Sequence, residues 1–373
     1  MIHWIRNSLL IFAITIFLLA VIELFAWSLI NTGLLNKKVN NIDIFEANIY
    51  PDKDLEDIQS MFKEHAQIDY QWEPYLHQRA KPFAGKHINI SNELTRKTKQ
   101  YYSETDSVIK IFAFGGSTMF GDGARDAYTI PSWLSKMIDQ DALPAVHITN
   151  FGNSAYIRTQ ENILLMRELQ KGNIPDIVIF YDGVNDAISS GFHHQQGLIQ
   201  DAENRIEEFN IRKNKAKLVQ LLLRGTNTNR LIRQLFFDEP FKRYEHANFD
   251  SLGVEFLAHY QQNLKITDAL AEKYKFSCIN YWQPVVYTKT NLTQLDKQII
   301  NMIPYYSPYF KAFYEQIKND SLLEQKSNYR NISHLLDTDK QYYYDLCHIS
   351  EQGNKIIAHE IFKDIKELLQ TKQ

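Results

Sequence analysis

Hydrophobic and polar positions divide the chain into three stretches. Ser8 to Ile30 is one apolar run, SLLIFAITIFLLAVIELFAWSLI, interrupted only by Glu23. A run of that length crosses a bilayer as a helix, and it is longer than the apolar part of a cleaved signal peptide and lacks a small-residue cleavage site. Residues 1–35 are therefore read as an uncleaved membrane anchor. A carboxylate at the depth of Glu23 is costly in hydrocarbon, so its side chain is expected to tilt toward an interface or to meet a partner within the membrane. Residues 36–107 are polar and aromatic, with a strand-like patch at His87–Ile90 and the stretch Tyr70-Gln71-Trp72-Glu73-Pro74-Tyr75. So many aromatic residues argue against a disordered stalk and for an extension packed on the main domain.

From Val108 short apolar runs alternate with amphipathic ones. Strands are predicted at Val108–Phe114, Ala145–Phe151, Ile177–Tyr181 and Phe276–Trp282. Helices are predicted to open at Thr129-Ile130-Pro131, where Thr can cap and Pro suits the first turn, and at Thr159, running to about Gln170 with Gly172 and Pro175 beyond. Leu252–Tyr274 reads as a long helix, and a last one is capped by Ser350 with Glu351 in its first turn. Regular strand–helix alternation implies a parallel sheet covered on both faces, so the fold class is α/β, a three-layer α/β/α domain over residues 108–373. Insertions are expected near 187–250 and 284–340. The first carries a basic stretch, Arg212 to Lys217, that reads as a solvated face.

Composition narrows the function. A 373-residue chain with 44% hydrophobic and 23% charged residues can bury a large core, and a net charge of −3 gives no basic face for nucleic acid. Cys278 and Cys347 are too few for a disulfide framework and too far apart for a metal-ligand pattern, so both are expected as buried free thiols. Arg6 and the terminal amine on one side of the apolar run nearly balance Lys37 and Lys38 on the other. Long C-terminal domains translocate largely regardless of such charges, and this leaves the main domain on the extracytoplasmic side.

The chemistry concentrates in four short sites in order: Gly115-Gly116-Ser117, Asn150-Phe151-Gly152, Gly183-Val184-Asn185-Asp186 and Asp345-Leu346-Cys347-His348. Each of the first three follows an apolar run and would emerge at a strand end, where open α/β sheets bind ligands. Two glycines before Ser117 allow a sharp turn that exposes the hydroxyl, and a serine needs a base to become a nucleophile. His348 is the natural base, and Asp345 reaches its imidazole if the intervening residues curl into a turn. Gly152 can offer a backbone N–H and Asn185 a side-chain amide to an oxyanion. Asp182 and Asp186 read as caps of the adjoining turn. The adjacent His193 and His194 point apart on a regular backbone and suit no metal. Tyr305, Tyr306, Tyr309 and Phe310 could stack on sugar rings, although aromatic residues serve more often as packing. Asn89, Asn291 and Asn331 each open a glycosylation sequon, meaningful only in a eukaryotic secretory setting.

In this order the motifs resemble those of the SGNH (GDSL-type) esterase and lipase superfamily. The four residues that name it would be Ser117, Gly152, Asn185 and His348, with Asp345 completing the triad. The sequence departs from the family pattern at Gly116, where the Gly-Asp-Ser form has aspartate, and at Ala155, where a second glycine often follows Asn-x-Gly. The run Phe114-Gly-Gly-Ser-Thr-Met-Phe-Gly121 with Thr129-x-Pro131 looks like a membrane-anchored bacterial branch. The resemblance implies a flavodoxin-like SGNH hydrolase fold, no cofactor, no metal, and a serine esterase acting on ester-linked acyl groups, O-acetyl groups of a cell-surface glycan above all. Transfer of the acyl group to or from a glycan remains open, as does a non-catalytic membrane-tethered protein that binds glycan.

Overall fold

The computed structural model describes residues 2–32, 49–50, 55–102, 108–211, 223, 225–236 and 248–371. Contacts divide the chain into two compact units, residues 1–41 with 201–246, and residues 42–200 with 247–373. The basic stretch Arg212–Lys217, together with Lys37 and Lys38, lies outside the described residues.

In the first unit α1 spans Ile2–Asn31, and its segment His3–Asn31 is long and apolar enough to cross a membrane. Its large side chains, among them Leu9, Phe12, Phe17 and Phe25, are exposed on every side, unlike those of a helix that fills a protein core. Glu23 has found its partner in the first insertion. Its carboxylate accepts hydrogen bonds from the Asn227 side chain (2.9 Å), the Thr228 N–H (3.0 Å), the Thr228 hydroxyl (2.8 Å) and the Asn227 N–H. Those residues open the helix Asn227–Phe236, whose first N–H groups lack intrahelical acceptors and whose dipole favours an anion there. Glu23 thus acts as an N-cap supplied from a different helix.

The second unit begins with α2 (Leu55–His65) and two small hairpins, β1 (Tyr70–Glu73) with β2 (His77–Ala80) and β3 (Phe83–Ala84) with β4 (Asn89–Ile90). Then come β5 (Ile109–Gly115), α3 (Ser117–Phe120), α4 (Ile130–Gln140), β6 (Val146–Asn150), α5 (Arg158–Gln170), β7 (Ile177–Asp182) and α6 (Val184–His193). In chain order, two helices of the first unit follow among the described residues, α7 (Ala202–Ile211) and α8 (the Asn227–Phe236 helix). The second unit resumes with α9 (Phe249–Tyr274), β8 (Ser277–Trp282), α10 (Gln294–Met302), α11 (Tyr306–Lys318), α12 (Ser321–Glu324), β9 (Tyr329–Asn331) and α13 (Glu351–Gln370).

Strands β6-β5-β7-β8-β9 form one parallel sheet in that order. Counted along the chain within the sheet, this is the flavodoxin-like order in which the first strand lies between the second and the third. The crevice at that reversal, beyond the carboxyl ends of β5 and β7, is where such sheets bind ligands. Four phenylalanines on one face of the sheet form a cluster with Leu164, Leu165 and Leu169 of α5: Phe114 stacks on Phe151 (centroids 5.1 Å apart) and on Phe180 (5.2 Å), and Phe112 meets Phe151 edge-on. The extension joins the same unit through hydrogen bonds, Ala80 N–H to the Asn153 side chain (3.1 Å) and the Tyr156 hydroxyl to the Gln78 carbonyl (2.7 Å).

Two sequence expectations need correction. Thr159 does not cap α5. It sits inside the first turn with its hydroxyl against His259, while the carboxylate of Asp186 accepts the first N–H, from Arg158, at 3.0 Å. The sheet also has a fifth strand, β9, inside the second insertion. Thr129 and Ser350 do cap their helices, accepting from the Ser132 and Gly353 N–H groups. Cys278 and Cys347 are both free and buried.

Candidate active site

Strand β5 ends at Gly115, and the chain turns at once into the single-turn helix α3, which Gly121 closes in the left-handed region (φ 97°). Ser117 is its first residue. A β-carbon on Gly116 would lie 2.1 Å from the Asn185 amide nitrogen, so only glycine allows the turn after β5 and the first turn of α6 to touch. Gly183, in a positive-φ conformation (123°), makes the corresponding turn after β7, its α-carbon facing the Trp282 ring so that a β-carbon would be 2.7 Å away. The strand ends themselves meet at Gly115, where a β-carbon would lie 2.5 Å from the Tyr181 carbonyl oxygen.

His348 comes from the opposite end of the sequence. Asp345 folds the segment by accepting the N–H groups of Cys347 (2.9 Å) and His348 (2.7 Å) on Oδ1. Its Oδ2 lies 2.6 Å from His348 Nδ1, and His348 Nε2 lies 2.6 Å from Ser117 Oγ. The Tyr344 ring stacks on the imidazole, with planes inclined by 15°. Burial disfavours a charge on His348, but the Asp345 carboxylate outweighs it and holds the imidazolium well above its ordinary value. Asp345 itself is held below the usual carboxylate range, because the His348 charge and the two backbone N–H groups overcome the burial that would raise it. Burial pushes the Cys347 thiol up, so at neutral pH it is an uncharged neighbour of the pair.

The expected oxyanion donors divide. Asn185 donates one amide proton to the Tyr156 carbonyl (3.0 Å) and accepts from Gln200 (3.3 Å), which fixes the amide's orientation and leaves its second proton available. Gly152, in contrast, is not an open donor. Its N–H goes to the Asn150 side chain at 2.9 Å, and its α-carbon is pressed so close to α3 that a β-carbon would lie 2.3 Å from the Phe120 nitrogen. The same loop offers another group. Ala155 has a positive φ (61°), and its N–H has no protein acceptor among the described residues. The loop runs alongside the nucleophile turn, with Asn153 N–H donating to the Gly115 carbonyl at 3.1 Å. The departure from Gly at position 155 was the sequence signal for this.

Beneath the site is a buried charge cluster that the sequence did not reveal. Arg158 lies over the Phe180 ring (3.5 Å) and donates to Asp182 (2.8 Å), Asn162, Thr267 and Asn280. Asp182 also accepts from the Tyr260 hydroxyl (2.9 Å). Burial, reinforced by the Asp182 carboxylate, raises Asp186 and the neighbouring Glu161 above the usual carboxylate range. Asp182 is therefore the counter-ion of Arg158 and Asp186 the cap of α5, in place of the adjoining-turn caps expected. His193 contacts the Ile199 carbonyl (3.0 Å). Asp345, Cys347 and His348 are the one group of three such side chains with ligand atoms within 4.8 Å of one another among the described residues. Two of them already satisfy each other and the third is a protonated thiol, a poor donor set for a cation. Tyr309 and Phe310 are buried, whereas Tyr305 and Tyr306 are half-buried.

The sequence missed two further residues at the site. Asp122 Oδ2 is 3.6 Å from His348 Nε2, and Asp122 Oδ1 is 2.8 Å from Nε2 of His65, at the end of α2.

No family model matches the chain, and no curated protein matches it. Among solved structures it is similar to the acetyl xylan esterase AlAXEase (10% identity, TM-score 0.36, covering 69% of this chain and 100% of that one). It is also similar to the lipase Lip_vut3 from a goat rumen metagenome (13%, TM-score 0.40, 68% and 96%). A third is Axe2, an acetylxylan esterase from Geobacillus stearothermophilus (13%, TM-score 0.35, 69% and 94%).

Proposed function

We propose that this protein is a membrane-anchored serine esterase of the SGNH type, with Ser117 as nucleophile, His348 as general base and Asp345 as its orienting carboxylate. The observation that carries the reading is the unbroken contact chain Asp345–His348–Ser117, with 2.6 Å at each step. His348 Nε2 takes the hydroxyl proton as Ser117 Oγ bonds to the ester carbonyl carbon, and Asp345 keeps the other ring proton on Nδ1 and balances the imidazolium charge. The carbonyl oxygen becomes an oxyanion facing the Ser117 N–H, the Asn185 amide and the Ala155 N–H. Each such donor is worth about 3–4 kcal/mol of barrier. The tetrahedral species collapses, the ester C–O bond breaks, and the alcohol leaves with the proton from Nε2. Water then attacks the acyl-serine carbonyl, His348 takes its proton and returns it to Ser117, and the acid is released.

The substrate class is an ester-linked acyl group, O-acetyl on a surface glycan in this reading, with the site extracytoplasmic and the anchor in the bilayer. The test is mass spectrometry of the full chain in detergent after a fluorophosphonate, with hydrolysis of p-nitrophenyl acetate followed in parallel. One adduct on Ser117 that disappears in Ser117→Ala, together with loss of hydrolysis, supports the triad. Hydrolysis that survives Ser117→Ala sinks it, and folded wild-type protein that takes no adduct points instead to glycan binding without catalysis.

A further inference from the structure

The region around Ser117 and His348 contains a second histidine–carboxylate pair that the triad does not use. Asp122 lies five residues beyond the nucleophile, and its own N–H donates to the Ser117 carbonyl (3.0 Å), so its position is tied to the nucleophile turn. Its carboxylate stands between two imidazoles, 2.8 Å from His65 Nε2 through one oxygen and 3.6 Å from His348 Nε2 through the other. His65 is held in place although it ends a helix. The preceding residue, Glu64, accepts the N–H groups of Lys86 (3.0 Å), His87 (2.9 Å) and Ile88 (3.0 Å), and Ile58 and Met61 of α2 pack in one cluster with Phe120 of α3.

Resting on the esterase reading, we propose that Asp122, oriented by His65, is a positioning residue that holds the protonated His348 from its Nε2 side. At 3.6 Å the Asp122 oxygen makes no hydrogen bond in the resting state, when Nε2 presents a lone pair to the serine proton. Once Nε2 carries the proton, it faces a carboxylate on each side of the ring, Asp345 at Nδ1 and Asp122 at Nε2. Asp122 therefore favours the charged ring of the transition state over the neutral ring of the resting enzyme, and only such differential interactions raise kcat. His65 keeps the carboxylate from rotating away by holding its other oxygen. In this arrangement the segment before the α/β domain contributes to catalysis as well as to packing.

The other groups around the pair do not supply this charge. His348 faces Asp345, Asp122, Cys347 and the Tyr344 ring. Asp122 faces His65, His348, Tyr70, Tyr344 and Cys347, whose phenols and thiol burial keeps protonated, and Arg125 is committed to Glu351 at 2.8 and 2.9 Å.

The test measures kcat and KM against pH on p-nitrophenyl acetate, using the full chain in detergent, for wild type, Asp122→Asn, His65→Ala and His65→Gln. Thermal unfolding and fluorophosphonate labelling accompany each. Asp122→Asn is expected to lower kcat about 10-fold or more on the plateau above the acid limb, with little change in KM. It should also move the acid limb of the profile down by about one pH unit, a tenfold change in the protonation equilibrium. His65→Ala should shift the limb the same way by less, and His65→Gln, which keeps an N–H donor, should restore it. An unmoved limb in folded Asp122→Asn, or equal profiles for His65→Ala and His65→Gln, overturns the proposal and leaves Asp122 as a tie between α2 and α3. If Asp122→Asn does not fold, the two His65 variants decide. Wild type that labels and hydrolyses separates failure of this inference from failure of the esterase reading, and wild type that does neither removes both.

Discussion

Replacing Asp345 by asparagine should harm catalysis more than replacing it by alanine. Asp345 Oδ1 accepts two backbone N–H groups, at 2.9 and 2.7 Å, while Oδ2 accepts from His348 Nδ1 at 2.6 Å. An asparagine in the same place has one carbonyl oxygen and one NH2. Turning the oxygen to the backbone donors aims the NH2 at Nδ1, which must then be the acceptor. The ring proton moves to Nε2, and Nε2 can no longer take the proton of Ser117. The opposite orientation keeps the useful tautomer but sets the NH2 against two buried N–H groups, each left unsatisfied at a cost of about 1–3 kcal/mol. The productive form therefore lies about 2–6 kcal/mol above the unproductive one, and kcat should fall by roughly 30- to 25,000-fold. Asp345→Ala removes the bias along with the carboxylate, so its imidazole keeps access to both tautomers. The assay is kcat for p-nitrophenyl acetate at neutral pH, with the Ser117 labelling rate as a second readout that does not depend on deacylation. An asparagine variant at least as active as the alanine variant would refute the reasoning.

Four further expectations follow from the same structure. Because Asp345 holds the His348 imidazolium above its ordinary value, the acid limb of kcat/KM should lie above the titration range of free histidine, near 6.5, and move down in Asp345→Ala. By linkage, the stability contributed by charged His348 is full below that ordinary value and is lost as pH rises through the folded one, a trend visible in unfolding free energy against pH. Arg158→Met strands the buried Asp182 carboxylate with only the Tyr260 hydroxyl of the two side-chain partners described, and should destabilise the α/β unit by about 3–5 kcal/mol in denaturant titration. Glu23→Ala removes the cap of α8 and should increase proteolytic cleavage around Asn227 in detergent-solubilised protein, while Glu23→Gln, unable to accept at every position, should be intermediate.

The parts of the fold readable in the sequence were those set by continuous apolar runs and by local caps. Four of the five central strands were expected within about a residue of their observed ends, because β5 and β7 bury nearly every residue and read as unbroken hydrophobic stretches. Strand β9 was not readable: three residues, Tyr-Arg-Asn, carry no periodicity, and pairing with β8 alone makes them a strand. The Asp345–His348 pair was legible because three residues suffice to bring a carboxylate back to a ring. Gly152 is not legible in the same way, since whether its N–H is open depends on where the Asn150 side chain turns. Asp122, His65 and Arg158 carry no local signature. They acquire partners 57, 226 or 24 positions away only when the sheet and its extension come together.

Gly116 has a bearing on how this sequence can change. A β-carbon there would meet the Asn185 nitrogen at 2.1 Å, so a side chain at 116, the aspartate of the Gly-Asp-Ser form included, requires the Asn185 amide to shift. The two positions are coupled across the sheet, and the order of substitutions between them matters. A side chain at 116 would displace the Asn185 amide and so strain its contacts with Tyr156 and Gln200. Screening substitutions at 116 and 185 together should recover active pairs that neither position yields alone.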